Sequence, residues 1–123
     1  MKFIKLWLPV VVWCYVIYFF SGIPGLATPF GVWDIVLRKC AHITEYFVLT
    51  FLLIRAFRKS FRISSGLMIL CVSVVSFLYA CSDEYHQTFV AHRSGTFRDV
   101  IIDSAGILIA AYIYSKKRNY KGN

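Results

Sequence analysis

Four apolar stretches, separated by short polar breaks, divide the chain: about Leu6 to Phe20, Cys40 to Ile54, Gly66 to Cys81 and Val100 to Tyr114. Each is about 15 residues long, short of the roughly 20 that a spanning helix needs. Trp33, Ile63 and Phe97 extend three of them, and polar residues at one end supply the remaining length. The pattern predicts membrane spans over about residues 4–22, 36–54, 64–82 and 98–115. Ser21-Gly22-Ile23-Pro24-Gly25 ends the first, and Thr28-Pro29-Phe30-Gly31 keeps the following loop irregular. Ser64, Ser65 and Gly66 precede the third, and a polar turn at His92, Arg93, Ser94 and Gly95 precedes the fourth. Pro9, early in the first segment, is tolerable near a helix start or as a mild kink.

Composition decides the solvent. The chain has 123 residues, one domain's length, with 59% hydrophobic and 16% charged side chains. A water-soluble domain carries roughly a quarter charged residues, and one this small would have to expose much of its apolar surface. Aromatic residues at 18% exclude disorder. The expectation is an all-α integral membrane four-helix bundle forming a single domain. A secretory signal at the N-terminus would explain Lys2, Lys5 and Gly25-Leu26-Ala27, but the bulky aromatic run from Trp7 to Phe20 suits a retained span better. Cys14, Cys40, Cys71 and Cys81 show no C-x-x-C spacing and read as small packing residues.

The net charge of +8 does not indicate nucleic acid, because the basic residues lie in short runs between apolar stretches rather than on one wet face. Sorted across four spans, one side receives Lys2, Lys5, Arg55, Arg58, Lys59, Arg62, Lys116, Lys117, Arg118 and Lys121, with no acid. The other receives Arg38, Lys39, Arg93 and Arg98 together with all six acids and all three histidines. The positive-inside rule places the first side and both termini in the cytoplasm. Three or five spans would mix the two sets. Any chemistry therefore faces away from the cytoplasm.

On that far side, Lys39, His42 and Tyr46 recur at helical spacing, with Glu45 at the border of their face. With Lys39 at the interface, Glu45 lies about 9 Å deeper. An unpaired charge near the membrane centre costs about 2.5–3.5 kcal/mol, so Glu45 should point inward. Tyr79, Asp83, His86 and Gln87 share a face if the third helix continues to Gln87, and Glu84 lies about a quarter-turn away. Asp99, Asp103 and Gly106 stack on the fourth, where Gly106 admits close approach of a helix or substrate.

Three interpretations fit this constellation. His42, His86, Glu45, Asp83 and Glu84 have ligand-type side chains for a divalent metal, but neither H-x-x-E nor D-x-x-H is a specific spacing. A metal-free acid–base site is preferred, with Lys39, Arg93 and Arg98 holding a phosphate or other anion. A purely structural network is weaker, since buried ion pairs are often no better than apolar packing. No Walker loop, dinucleotide fingerprint or nucleophile elbow is present.

Phe20-Ser21-x-x-Pro24, Lys39-x-x-His42-x-x-Glu45-Tyr46, Asp83-Glu84-x-His86-Gln87-x-Phe89, Arg93 and Asp99-x-x-x-Asp103-x-x-Gly106 together resemble the VanZ-like family of small bacterial membrane proteins. The resemblance covers nearly the whole chain. It departs at Asp103, where the family often carries Asn, and at Val90-Ala91-His92, where a Pro-Gly-Arg turn is usual. It implies a bacterial plasma-membrane, envelope-related protein, and the founding member is associated with teicoplanin resistance.

The combined expectation is an outward-facing pocket for an outer-leaflet amphiphile or lipid-linked cell-wall precursor. As an enzyme it would be a hydrolase or transferase at a lipid-linked phosphate, with His86 and Asp83 or Glu84 as the acid–base pair. Lys39, His42, Glu45, Gln87, Arg93, Asp99 and Asp103 would form the substrate site, with no metal favoured. The alternatives are a non-enzymatic lipid or antibiotic binder, a proton-switched transport protein, or a structural subunit of an envelope complex.

Overall fold

The computed structural model describes residues 1–23, 31–90 and 96–122. Over these the chain forms four α-helices: α1 (Lys2–Ser21), α2 (Val32–Ser60), α3 (Ser65–Gln87) and α4 (Phe97–Lys121). There is no strand among the described residues. Pro24 to Phe30 and the turn from His92 to Gly95 lie outside them.

Every helix but the first runs well past the apolar stretch that announces it. The 29 residues of α2 make a rod about 44 Å long. Asp34 stands in its first turn and Arg58 and Lys59 in its last, each where the helix dipole favours its charge. In α4, Asp99 and then Arg118 and Lys121 repeat that arrangement. Polar flanks that hydropathy leaves uncounted are thus helical for an electrostatic reason. Ser64 caps α3, its side chain accepting the Leu67 N–H at 3.3 Å. Helix α3 does continue to Gln87.

Three of the helices, α1 to α3, are long and apolar enough to cross a membrane. The fourth is the most polar, carrying Arg98, Asp99 and Asp103 at one end and a basic tail at the other. Its 25 residues give about 37 Å, so its length suffices to cross.

Cross-helix hydrogen bonds fix the directions. The Trp7 and Trp13 indoles donate to Ser60 Oγ at 3.0 Å and to the Glu45 carbonyl at 2.9 Å, so α1 and α2 are antiparallel. Tyr79 Oη donates to the Cys14 carbonyl at 2.6 Å and Gln87 Nε2 to Ser21 Oγ at 3.3 Å, so α3 runs parallel to α1. Thr50 Oγ1 meets Ser76 Oγ at 3.1 Å inside the α2–α3 seam. The topology is up-down-up-down. The start of α1 and the ends of α2 and α4 therefore share one end, and every basic residue of the ten-charge set lies there.

Helix α2 packs against all three others, most extensively against α4, while α1 and α4 do not meet. The core is a narrow seam of Ile17, Leu49, Leu53, Met68, Val72, Ile107 and their neighbours. Outside it, large apolar side chains such as Phe3, Leu8, Tyr15, Leu37, Leu70, Leu78, Ile101 and Leu108 are exposed on every helix. In water that surface would aggregate, and in lipid it is the expected exterior. Near the basic end, Trp7 packs on Phe57 and Phe61 with ring centroids 5.5 and 6.3 Å apart, a position suited to interfacial aromatics.

The tightest contact is at Gly106. A Cβ there would collide with the Ile43 carbonyl oxygen and lie 3.0 Å from the Phe47 nitrogen, so α4 and α2 touch backbone to backbone. Gly106→Ala is expected to push the helices apart and destabilise the bundle by about 1–3 kcal/mol, read as a lowered Tm in detergent. Gly66→Ala, at a position where a Cβ meets nothing within 4 Å, should leave Tm unchanged or raise it slightly.

Candidate functional site

The Gly106 contact governs what happens one turn away. Asp103 precedes Gly106 by three residues and His42 precedes Ile43 by one, so the backbone approach delivers the Asp103 carboxylate to the His42 imidazole. His42 Nδ1 lies 3.1 Å from Asp103 Oδ1 and 4.0 Å from Glu45 Oε2. From α3, Asp83 and Glu84 complete the group. One donor atom from each of His42, Asp83, Glu84 and Asp103 lies within 4.8 Å of all the others. Asp83 and Glu84 are 5% exposed and Asp103 is fully enclosed.

The cluster is held from behind. Tyr46, fully buried, donates its hydroxyl to Asp83 Oδ2 at 3.2 Å, and Gln87 Nε2 approaches the same oxygen at 3.4 Å. Gln87 also donates to Ser21 Oγ at 3.3 Å, which ties the end of α1 to the site. Asp83 is thereby fixed in orientation by two side chains, as carboxylates at functional centres commonly are. The other acids lack such support. Both oxygens of Glu84 and both of Asp103 are buried with no hydrogen bond, as is His42 Nδ1. At 3.1 Å the His42–Asp103 contact is close enough for an ion pair without the alignment of a hydrogen bond.

This arrangement is electrostatically unbalanced. Two ionised carboxylates about 4.8 Å apart repel by roughly 3–4 kcal/mol at an effective dielectric of 20, and three such groups give three such pairs. Lys39 and Arg98, expected to hold an anion, are exposed. Arg93 lies outside the described residues. Among the described residues the only potential cation within the group is the His42 imidazole. The centre therefore suits protons or a cation far better than a bare anion.

The remaining expected residues are placed around it. Glu45 is half-buried beside His42, its Oε2 4.0 Å from Nδ1. His86 stands off from the four-residue group. Its ring stacks on Tyr18 with centroids 4.5 Å apart and 25° between planes, and its Nδ1 is buried without a hydrogen bond. Asp99 accepts from Thr96 Oγ1 at 3.0 Å at the start of α4. Cys14, Cys71 and Cys81 are half-buried packing residues as expected, whereas Cys40 is exposed. Ser21 and Tyr46, present in the motifs but without an expected role, bond Gln87 and Asp83, and Tyr18, outside the motifs, stacks on His86. The spacing His42-x-x-x-Tyr46, one turn apart on a single face, was the available signal for Tyr46.

No match was found among curated proteins or among solved structures. Residues 6–118 match the VanZ/LLP1 family, a stretch that takes in α2 and α3 whole, most of α1 and α4, and all members of the buried cluster. The chain belongs to the VanZ/LLP1 family.

Proposed function

We propose that this VanZ-like protein holds one divalent cation on His42, Asp83, Glu84 and Asp103 at the extracytoplasmic end of the bundle. Through that cation it engages the phosphate of an outer-leaflet amphiphile such as a lipid-linked cell-wall precursor. One observation carries the reading: three buried carboxylates and an imidazole converge within 4.8 Å while both Glu84 and both Asp103 oxygens lack hydrogen bonds. Protonation of one carboxyl would relieve part of the repulsion and give one neighbouring oxygen a donor, but would leave the other oxygens without partners. A dipositive ion answers both problems, and a set of three carboxylates and one imidazole suits Mn²⁺ or Zn²⁺.

A cation also reconciles the acidic centre with an anionic ligand, because it would supply the positive charge that Lys39 and Arg98 do not bring inside. A bound cation polarises a phosphoryl oxygen and lowers the proton affinity of a water. Hydrolysis would join that water's oxygen to phosphorus, break the ester P–O bond and return a proton to the departing alcohol. His86, one turn from Asp83 and outside the ligand set, is the imidazole left to carry the proton. The charge sorting supports an orientation with this end toward the cell envelope, where the family's association with teicoplanin resistance also lies.

A second reading is a non-enzymatic binder or transporter switched by protons, favoured by the His42–Asp103 pair at 3.1 Å. The two are separated by metal titration of the purified, chelator-stripped protein. Mn²⁺ at about a hundred times its Kd is expected to stabilise by about 2.7 kcal/mol, read as a raised Tm, with loss of that rise in Glu84→Gln and Asp103→Asn but not in Lys39→Gln. No rise with Mn²⁺, Zn²⁺ or Mg²⁺ removes the cation reading and leaves the proton switch. Phosphate release from a labelled polyprenyl phosphate, present only in the metal-loaded protein, is the expected sign of an enzyme.

The orientation has its own test in a variant lacking the four native cysteines. In intact cells a membrane-impermeant thiol reagent is expected to modify His92→Cys, and Arg58→Cys only after permeabilisation. The reverse pattern would put the centre on the cytoplasmic side.

A further inference from the structure

Beyond the Gly106 contact, away from the acidic centre, α2 and α4 continue side by side and leave a groove of about 470 Å³ between them. Its size falls in the range of about 300–1,000 Å³ typical of small-molecule sites. The walls are apolar, from Phe47, Phe51 and Ile54 on α2 to Ala110, Ile113 and Tyr114 on α4. At its mouth stand Arg55, Arg58 and Lys59 from one helix and Lys117, Arg118 and Lys121 from the other. No acid lines it.

Topology alone does not require this arrangement. The positive-inside rule needs basic residues near the membrane surface, not their convergence from two helices on an apolar cleft. Arg62 and Lys116 belong to the same basic runs yet do not line the groove. Lys116 instead lies over the Tyr112 ring, 5.8 Å from its centroid. The basic residues are thus divided between those that face the cleft and those that do not.

We infer that this groove binds one anionic phospholipid of the adjacent leaflet, its acyl chain along the apolar wall and its phosphate between the guanidinium and ammonium groups of α2 and α4. Charge complementarity and lining select this occupant. A free phosphate would leave the apolar wall uncovered, and nucleic acid could not enter it. Arg supplies forked donors suited to phosphate oxygens, and basic pockets between transmembrane helices are a recognised way of holding anionic headgroups. The site is independent of the acidic centre and of any metal there.

The test is native mass spectrometry of the full chain released from nanodiscs of phosphatidylcholine containing a minor fraction of phosphatidylglycerol, scoring retained phosphatidylglycerol. Arg55→Gln with Arg118→Gln is expected to reduce retention roughly 25-fold, at about five-fold per charge removed. Arg62→Gln with Lys116→Gln, with the same change in net charge, should leave it unchanged. Ile113→Trp, which fills the groove and keeps every charge, should also lower retention. Equal losses in the two charge pairs, or full retention in Ile113→Trp, would overturn the site. Displacement of the lipid by free glycerol phosphate would show a headgroup-only anion site and overturn the assignment to a lipid.

Discussion

The backbone of α4 at Gly106 rests on the backbone of α2 between Ile43 and Phe47, and both ends of the molecule depend on that approach. Toward one end it brings Asp103 within 3.1 Å of His42 and so assembles the acidic centre with α3. Toward the other, the same two helices run on in parallel and frame the basic groove. A side chain at residue 106 would separate the helices where lateral packing, not hydrophobic exclusion from water, holds a membrane bundle together.

Electrostatic order runs along the whole length of the bundle. Carboxylates occupy the first turns of α2 and α4 and basic residues their last turns. One distribution therefore satisfies two demands, the helix dipoles and the rule that sets orientation in the membrane. Since α2 and α4 are parallel and adjacent, their dipoles and charges reinforce each other at each end. The molecule is a small dipolar object, acidic at one rim and basic at the other.

Burial sets the acidic rim apart from an ordinary charged surface. Carboxylates at a wet surface would be screened and need no partner. Asp83, Glu84 and Asp103 are enclosed, and only Asp83 is held by the neighbours Tyr46 and Gln87. Apolar residues of similar size would pack there at lower cost. The oxygens of Glu84 and Asp103, buried with no hydrogen bond, are the part of the fold that packing does not explain, and they are where an added charge has the most to neutralise.

The sequence by itself determined the four helices, the sorting of charge to two sides and the family, because each is a property of local periodicity, hydropathy or ordered motifs. It also placed His42, Asp83, Glu84 and Asp103 among the candidates, each on a helix face near the same end. It could not rank them. His86 and His42 look alike in sequence, and only the packing of α4 on α2 sets His42 in the centre while Tyr18 holds His86 aside. Lys39 shares a helical face with His42 in sequence, yet three residues nearer the helix start it emerges from the bundle. The helices run on beyond the apolar stretches for a related reason, since hydropathy counts apolar side chains and polar turns fold through capping and dipole effects that it ignores. Which groups meet depends on helix rotation and separation. Those are decided between helices at contacts such as Gly106, not within any one of them.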